Sequence, residues 1–597
     1  MAEAIISPGI YARENDISFI NPAPQAAGAA FIGPTVKGPV EEPTIVTSYS
    51  DYLRTFGETI TSGSKQYEYL TSVAVKGYFQ QGGNTALVTR IVSKSVDYTR
   101  ATSTFISSSA KGSTQPFTLE TLGKGVSFNN ATSSLAGLVG NTVGYLNTDG
   151  SLVSGSSDNL RWEVSNNNNA LGTFSLVVRR GDDSTNNKTI LETFNNVSLD
   201  PNSPNYIESV IGNQFVTVAT DATSGVSYNY KAGNFPNKSD YIRVAAVNLP
   251  TNYYQAADGI TVNTDGTNSY SASLPQSGSG SFYNATGNNV SASAAVTFFD
   301  AITTAATNVQ GVVGASYNTA ISLLSNKDDY QFNIISTPGL IASNTAAGAQ
   351  SAINSVIALA ENRGDCIAVV DLVPTGSTVG VVTSQAAGFN SSYAATYWPW
   401  VQVRSATGRN EWTPAGTLVP GIYAFTDAIA APWFAPAGLV RGGIPGVIQA
   451  ERKITKGERD TLYAGKINPI ATFPGTGIAV FGQKTLQTKA SALDRVNVRR
   501  LLITLKKFIG DQARTLVFEQ NTLTTRNKFL SIVNPYLQSV VQRQGLYAFR
   551  VVMDDSNNTA DSIDRNQLIG QILIQPTKTV EFVVLDFTIA PTGATFS

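Results

Sequence analysis

A lysine and a threonine placed behind paired glycines can cradle a phosphate, and Gly482-Gln483-Lys484-Thr485, downstream of Gly475-Thr476-Gly477, comes nearest to that chemistry in this chain. Gln483 breaks the spacing, and Ile478-Ala479-Val480-Phe481 reads as an apolar strand after a turn rather than a loop of free amides. Arg363-Gly364-Asp365 is an integrin-type tripeptide, yet between a helix at 350–360 and a strand at 366–373 Gly364 suits a helix C-cap and Asp365 a turn. Asp328-Asp329 and Asp554-Asp555 could attract a hard cation, but neither has the alternating oxygen ligands of a calcium loop, so they read as solvated turns. Cys366, the one cysteine, opens an apolar strand where a thiol is a small buried hydrophobe, and alone it can form no intrachain disulfide.

The chain of 597 residues has no histidine, which removes serine or cysteine nucleophile pairs with histidine, histidine zinc sites and the usual general base. The reading is a non-enzyme with no catalytic residue, cofactor or metal site. No side chain ordinarily titrates between about pH 6 and 8 without histidine, so only a carboxylate lifted far by burial could respond there. Charged residues are 14%, against a typical ~25%. The 41 basic and 42 acidic residues nearly cancel, so no global field draws the chain to nucleic acid or an anionic membrane. Glu3 and Pro8-Gly9 argue against a secretory signal, and the most apolar stretch, 421–440, is broken by Asp427, Pro432 and Pro436, so no membrane span is expected.

The length suggests roughly four domains. Residues 1–24 read as an extended arm bracketed by Ser7-Pro8-Gly9 and Asn21-Pro22-Ala23-Pro24. Residues 29–92 read as an α/β unit: strands at 29–32, 44–47 and 86–92, and helices at 49–56 and 67–80. From 93 to 326 Ser, Thr, Asn and Gly dominate, with no basic residue between Arg243 and Lys327, which reads as β-rich insertion with neutral surface. Ser203-Pro204 followed by Gly212 brackets a short helix. After 327 the α/β punctuation returns. Val498, Leu501, Leu502, Leu505, Phe508 and Ile509 form a helical stripe opened by Ser491 and closed by Gly510. A second helix, from Leu523 to Gly545 with Pro535 inside, and strands at 547–553, 568–575 and 579–589 complete an α+β module.

Ser7-Pro8-Gly9-Ile10-Tyr11, Ala30-Phe31-Ile32-Gly33, Gly77-Tyr78-Phe79 with Gly82-Gly83, Pro420-Gly421-Ile422-Tyr423, Phe473-Pro474-Gly475-Thr476-Gly477, Val496-Asn497-Val498-Arg499-Arg500 and Val517-Phe518-Glu519-Gln520-Asn521 run in an order that resembles the sheath proteins of contractile phage tails. The likeness covers about 30–92, parts of 160–218 and nearly all of 327–589; 251–319 carries none of it. It implies a mixed α+β multidomain fold, an α/β sheath core completed by N- and C-terminal segments with inserted β-rich protruding domains. The implied division is an arm at 1–24, an inserted α/β domain at 25–97 with about 235–326, a β-rich protruding domain at about 98–234, and the core with a C-terminal strand arm at 327–597.

The function so implied is a structural subunit that polymerises helically around a tail tube and contracts to drive it through the bacterial envelope. The partners are other copies of itself, the tail tube protein, and baseplate and tail terminator proteins, with no direct nucleic-acid or membrane contact. The place is the virion tail, after assembly in the host cytoplasm. A sheath of a phage-derived injection system is the alternative, disfavoured by the lack of a long N-terminal helix for a recycling ATPase; a surface adhesin is the more distant one. Subunit linkage is expected from Ser7, Pro8, Gly9, Ile10 and Tyr11 in the N-terminal arm and from Val580, Phe582, Val584 and Phe587 in a final strand. Arg499, Arg500, Lys506, Lys507, Arg526, Lys528 and Arg543 fall off or beside the apolar stripes of the last two helices, where they form either a tube-facing edge or a solvated face.

Overall fold

The structure is a computed structural model that describes residues 28–62, 65–93, 97–108, 114–134, 146–168, 171–251, 274–287, 310–444, 446–475 and 477–581. Its largest sheet contains β1 (Ala29–Gly33), β2 (Thr44–Val46), β3 (Ala86–Arg90), β4 (Ile334–Ile341), β5 (Ile367–Asp371), β6 (Ala394–Trp398), β7 (Asn468–Phe473) and β8 (Gly477–Val480), in the order β2-β3-β1-β4-β5-β6-β7-β8. The six central strands are parallel, and β2 and β8 run antiparallel at the two edges.

Parallel strands need crossover connections, which cover both faces of the sheet, and the sequence of β1 shows how. Ala29 and Phe31 enter an apolar cluster with Val75 and Tyr78 of α1 (Leu70–Gln80), while Ala30 and Ile32 point the other way, into a cluster with Ile353 and Val356 of α2 (Ala349–Arg363). Ile422 of α3 (Val419–Ile429) joins the first cluster. A Cβ on Gly421 would stand 2.9 Å from the Gly77 carbonyl oxygen, so glycine there lets α1 and α3 approach backbone to backbone.

The pairing of β1 with both β3 and β4 corrects the expected division of the chain. Strands from 29–90 and from 334–480 share one sheet, so 25–97 is not a domain separate from 327–597. What is inserted begins after β3. Strands at Arg100–Ser103, Phe117–Lys124, Ile242–Val247 and Phe282–Tyr283 form one antiparallel sheet. A second is built from Leu160–Asn168, Thr173–Arg180, Ile190–Ser198 and Gly278–Gly280. The two bury a single cluster in which Phe117 stacks on Phe174 and the Trp162 indole donates to Thr104 Oγ1 and the Ser281 carbonyl. Residues on both sides of 235 thus belong to one β-rich body.

The chain closes with α4 (Val496–Arg514), α5 (Leu523–Gln542), β9 (Leu546–Val552) and β10 (Gln571–Pro576) around a fourth apolar cluster containing Leu505, Val533 and Leu537. Helix α4 runs past Gly510, because a lone glycine costs only about 1 kcal/mol while the apolar stripe continues to pack. Ser491 caps a separate short turn, Ala492–Asp494. The expected helix at 67–80 begins at Leu70, since Lys65–Glu68 pairs with Thr59–Ser62 as a hairpin. The short helix before Gly212 is Ile207–Ile211, with Tyr206 rather than Ser203 at the N-cap position and no side-chain cap there.

Candidate assembly surfaces

The motifs that suggested chemistry are consumed by the fold. In the phosphate-loop-like segment the amides of Phe481, Lys484, Thr485 and Leu486 donate to Pro469 O, Asn468 Oδ1, Asp494 O and Ala394 O. Arg363 is buried over the Phe332 ring, forks onto Asp365, and donates to the Leu324, Asn326 and Tyr330 carbonyls; Gly364 takes the left-handed C-cap conformation, φ 67°. Neither end of the tripeptide is offered to a receptor. Cys366 is buried, and burial pushes its thiol up to about 12. Among the described residues no group of three or more acidic or cysteine side chains could hold a metal ion, and no helix is long and apolar enough to cross a membrane.

The basic residues of the two last helices divide into two sets. Arg499 and Arg500 are each 4% exposed, because the first turns of α4 lie inside the subunit. Arg499 stacks 3.9 Å from the Tyr393 ring centroid and donates to Ser392 Oγ. Arg500 Nη2 donates to both Asp427 oxygens at 2.8 and 2.6 Å, and its guanidinium lies 4.6 Å over Tyr423, whose hydroxyl is 2.6 Å from that of Tyr397. Burial raises the Asp427 carboxyl, and the Arg500 charge opposes that rise. Arg526 is likewise buried, held by Asn521 and Asp555. These three arginines are internal fasteners, which corrects the expectation that they face a partner. Lys507 is half-buried toward Asn333. Lys506, Lys528 and Arg543 are exposed, Arg543 lying over the Trp433 ring.

The β9–β10 hairpin has open edges: among the described residues each strand pairs only with the other, with Val551 opposite Ile572 and Phe549 opposite Ile574. Those four side chains pack on the cluster under α4 and α5, while Tyr547, Leu573 and Arg550 face out. A two-stranded ribbon with free backbone donors and acceptors on both sides is a template for further strands.

The chain leaving β10 is then pinned in a way its sequence did not announce. Arg495 forks onto Glu581 at 2.7 and 2.9 Å, and Gln483 Nε2 donates to Thr579 Oγ1 and Glu581 Oε1 at 3.1 Å each. Burial alone would raise Glu581, but the hydrogen bonds and charge of Arg495, with help from Tyr463 and Gln483, hold it below its ordinary value. Val580, between the two anchors, is 76% exposed at the rim of a groove of about 360 Å³ lined by Ala435, Arg441, Arg459, Tyr463 and Phe481. Ser7, Pro8, Gly9, Ile10 and Tyr11, and Phe582, Val584 and Phe587, lie outside the described residues.

Residues 310–486 match the family model of the phage tail sheath protein central domain, and 488–590 that of the phage tail sheath C-terminal domain. The tail sheath protein of Vibrio phage KVP40 is 41% identical over 189 residues, 32% of this chain and 28% of its own length. That of Enterobacteria phage T4 is 32% identical over 276 residues, 43% of this chain and 42% of its own. The matches thus span less than half the length of these curated relatives. A solved sheath tail protein from Listeria innocua superposes over 93% of both chains with a TM-score of 0.53 at 11% identity, a likeness of fold alone. Strands β4 to β8, the closing helix pair and the open hairpin fall inside the matched stretches, so residues 310–590 carry the central and C-terminal domains of a phage tail sheath protein.

Proposed function

We propose that this chain is the structural subunit of a contractile tail sheath that polymerises helically around a tail tube and contracts to drive the tube through the bacterial envelope during genome delivery. The observation that carries the reading is the β9–β10 hairpin, a sheet begun but not completed within the described residues. Arms from neighbouring copies, residues 1–24 and the strand beginning near Val580, would complete it through main-chain hydrogen bonds, which tolerate rotation of the bodies they join. Two arms making about five such bonds each, at about 1 kcal/mol net, would contribute on the order of 10 kcal/mol. Contacts that join unlike patches and do not close generate a filament. The tail tube, baseplate and terminator proteins would be the other partners, with assembly in the host cytoplasm and residence in the virion. The stroke would draw on a metastable extended packing rather than on a bound nucleotide.

Electron microscopy of the purified chain tests this. Long hollow tubes without added nucleotide are the expected result, and a soluble folded monomer is expected after deletion of residues 2–20. Normal tubes from the deletion variant would overturn the arm linkage, and a wild-type chain that never forms tubes, with or without tail tube protein, would overturn the sheath reading.

A further inference from the structure

Arg90 ends β3 where the β-rich insertion meets the central sheet, and it is 2% exposed. Its Nη1 donates to the Gly38 and Lys124 carbonyls at 2.7 Å each, one from the core and one from the insertion, and its guanidinium lies 5.8 Å from the Tyr98 ring centroid. Among the described residues no carboxylate pairs with it, and its buried Nε has no acceptor. Among other buried arginines, Arg179 is matched by Asp183 and Glu163, Arg500 by Asp427 and Arg363 by Asp365, while Arg499 has only the Tyr393 ring and Ser392. A buried cation left with neutral partners is costly, which is why such groups are paired or neutralised. Burial also pulls the Arg90 proton affinity down, to about 10.

The same side chain lines a cavity of about 260 Å³ between the two bodies. Thr59 and Ser156 are among its lining residues; Ser156 Oγ accepts from the Asp158 amide, which leaves its proton to donate. The one carboxylate on the wall, Asp158, is held by Lys37 at 3.1 Å. The wall therefore carries one uncompensated positive charge and hydroxyl donors, the chemistry that takes an oxyanion. We propose that this cavity is a binding site for a small tetrahedral oxyanion of the phosphate or sulfate type, held by Arg90 with Thr59 and Ser156, and that its occupation fastens the β-rich insertion to the central sheet.

Calorimetric titration of the whole chain with sodium phosphate, against sodium chloride at matched ionic strength, tests the site. Saturable one-to-one binding is expected for the wild type, with a loss of about tenfold or more in Arg90→Gln. Asp158→Asn, which removes the carboxylate from the wall and frees Lys37, should bind several-fold more tightly. Should Arg90→Gln fail to fold, Ser156→Ala serves, with weaker binding expected. Heats of dilution alone in the wild type, equal affinity in the wild type and the variant that lacks the donor, or weaker binding by Asp158→Asn would each overturn the proposal.

Discussion

In β1, β3, β4, β5 and β6 every residue is buried, whereas in the β9–β10 hairpin only Leu546 is. Both are sheets of apolar residues, but the first has helices on both faces and strands on both sides, while the second has support on one face and open edges. The contrast separates two tasks that one sheet could not do together. Burial on both faces stabilises a fold, and an unfinished edge leaves backbone groups open to pairing with a further strand.

The comparison breaks most sharply at Phe31, fully buried and packed edge-on against Tyr78. Phe31→Ala should cost about 4 kcal/mol in urea unfolding, the cavity and transfer terms together. A loss under about 1 kcal/mol would mean that the central sheet is not where stability resides.

Asp371 comes next. It ends β5 wholly inside the core, accepts the Gly416 amide at 2.9 Å, and burial raises its carboxyl to about 7. Its neutral form is favoured by the fold, so the stability it contributes is complete below its unfolded pKa near 4 and is lost as pH rises through 7. Asp371→Asn keeps an acceptor for Gly416 and should remove this slope. The gap between wild type and variant should grow by on the order of 3 kcal/mol from pH 4 to 8, read from urea midpoints. A gap that shrinks over that span would reverse the sign. Asp371 fits the one exception that the histidine-free sequence left open between pH 6 and 8, a carboxylate lifted far by burial.

Arg500→Met should cost about 2 kcal/mol, because it strands the Asp427 carboxylate at the junction of α3 and α4. A neutral result would make that junction as dispensable as a surface ion pair. The smallest effect on stability is expected at Leu573, on the outward face of the hairpin. Leu573→Lys should change unfolding by less than about 0.5 kcal/mol yet reduce tube formation counted by electron microscopy. Unfolding and assembly falling together would erase the distinction between the two sheets.

Local chemistry was legible where a residue answers to its near neighbours. Gly364 as a C-cap and the apolar stripe of α4 follow from spacing alone. The join of β3 to β1 and of β1 to β4 did not, since the β-rich insertion separates strands that lie side by side, and periodicity carries no information about which distant strand is the neighbour. The arginines of α4 were misread for a related reason. A cation off an apolar stripe looks solvated until its partner is known, and Asp427, Tyr393 and Ser392 lie far away in sequence. The anchoring of Glu581 by Arg495 was hidden in the same way, as two ordinary charges 86 positions apart.

Helix α4 has a mechanical meaning. Its 19 residues make a rod of about 28 Å, clamped near its start by Arg499 and Arg500 within the core and packed from Leu501 to Ala513 against the cluster shared with α5 and the hairpin. A pull on the hairpin edge would then reach the core through this packed helix as torque. Were the hairpin edge paired with another copy as proposed, displacement there would turn the subunit as a whole.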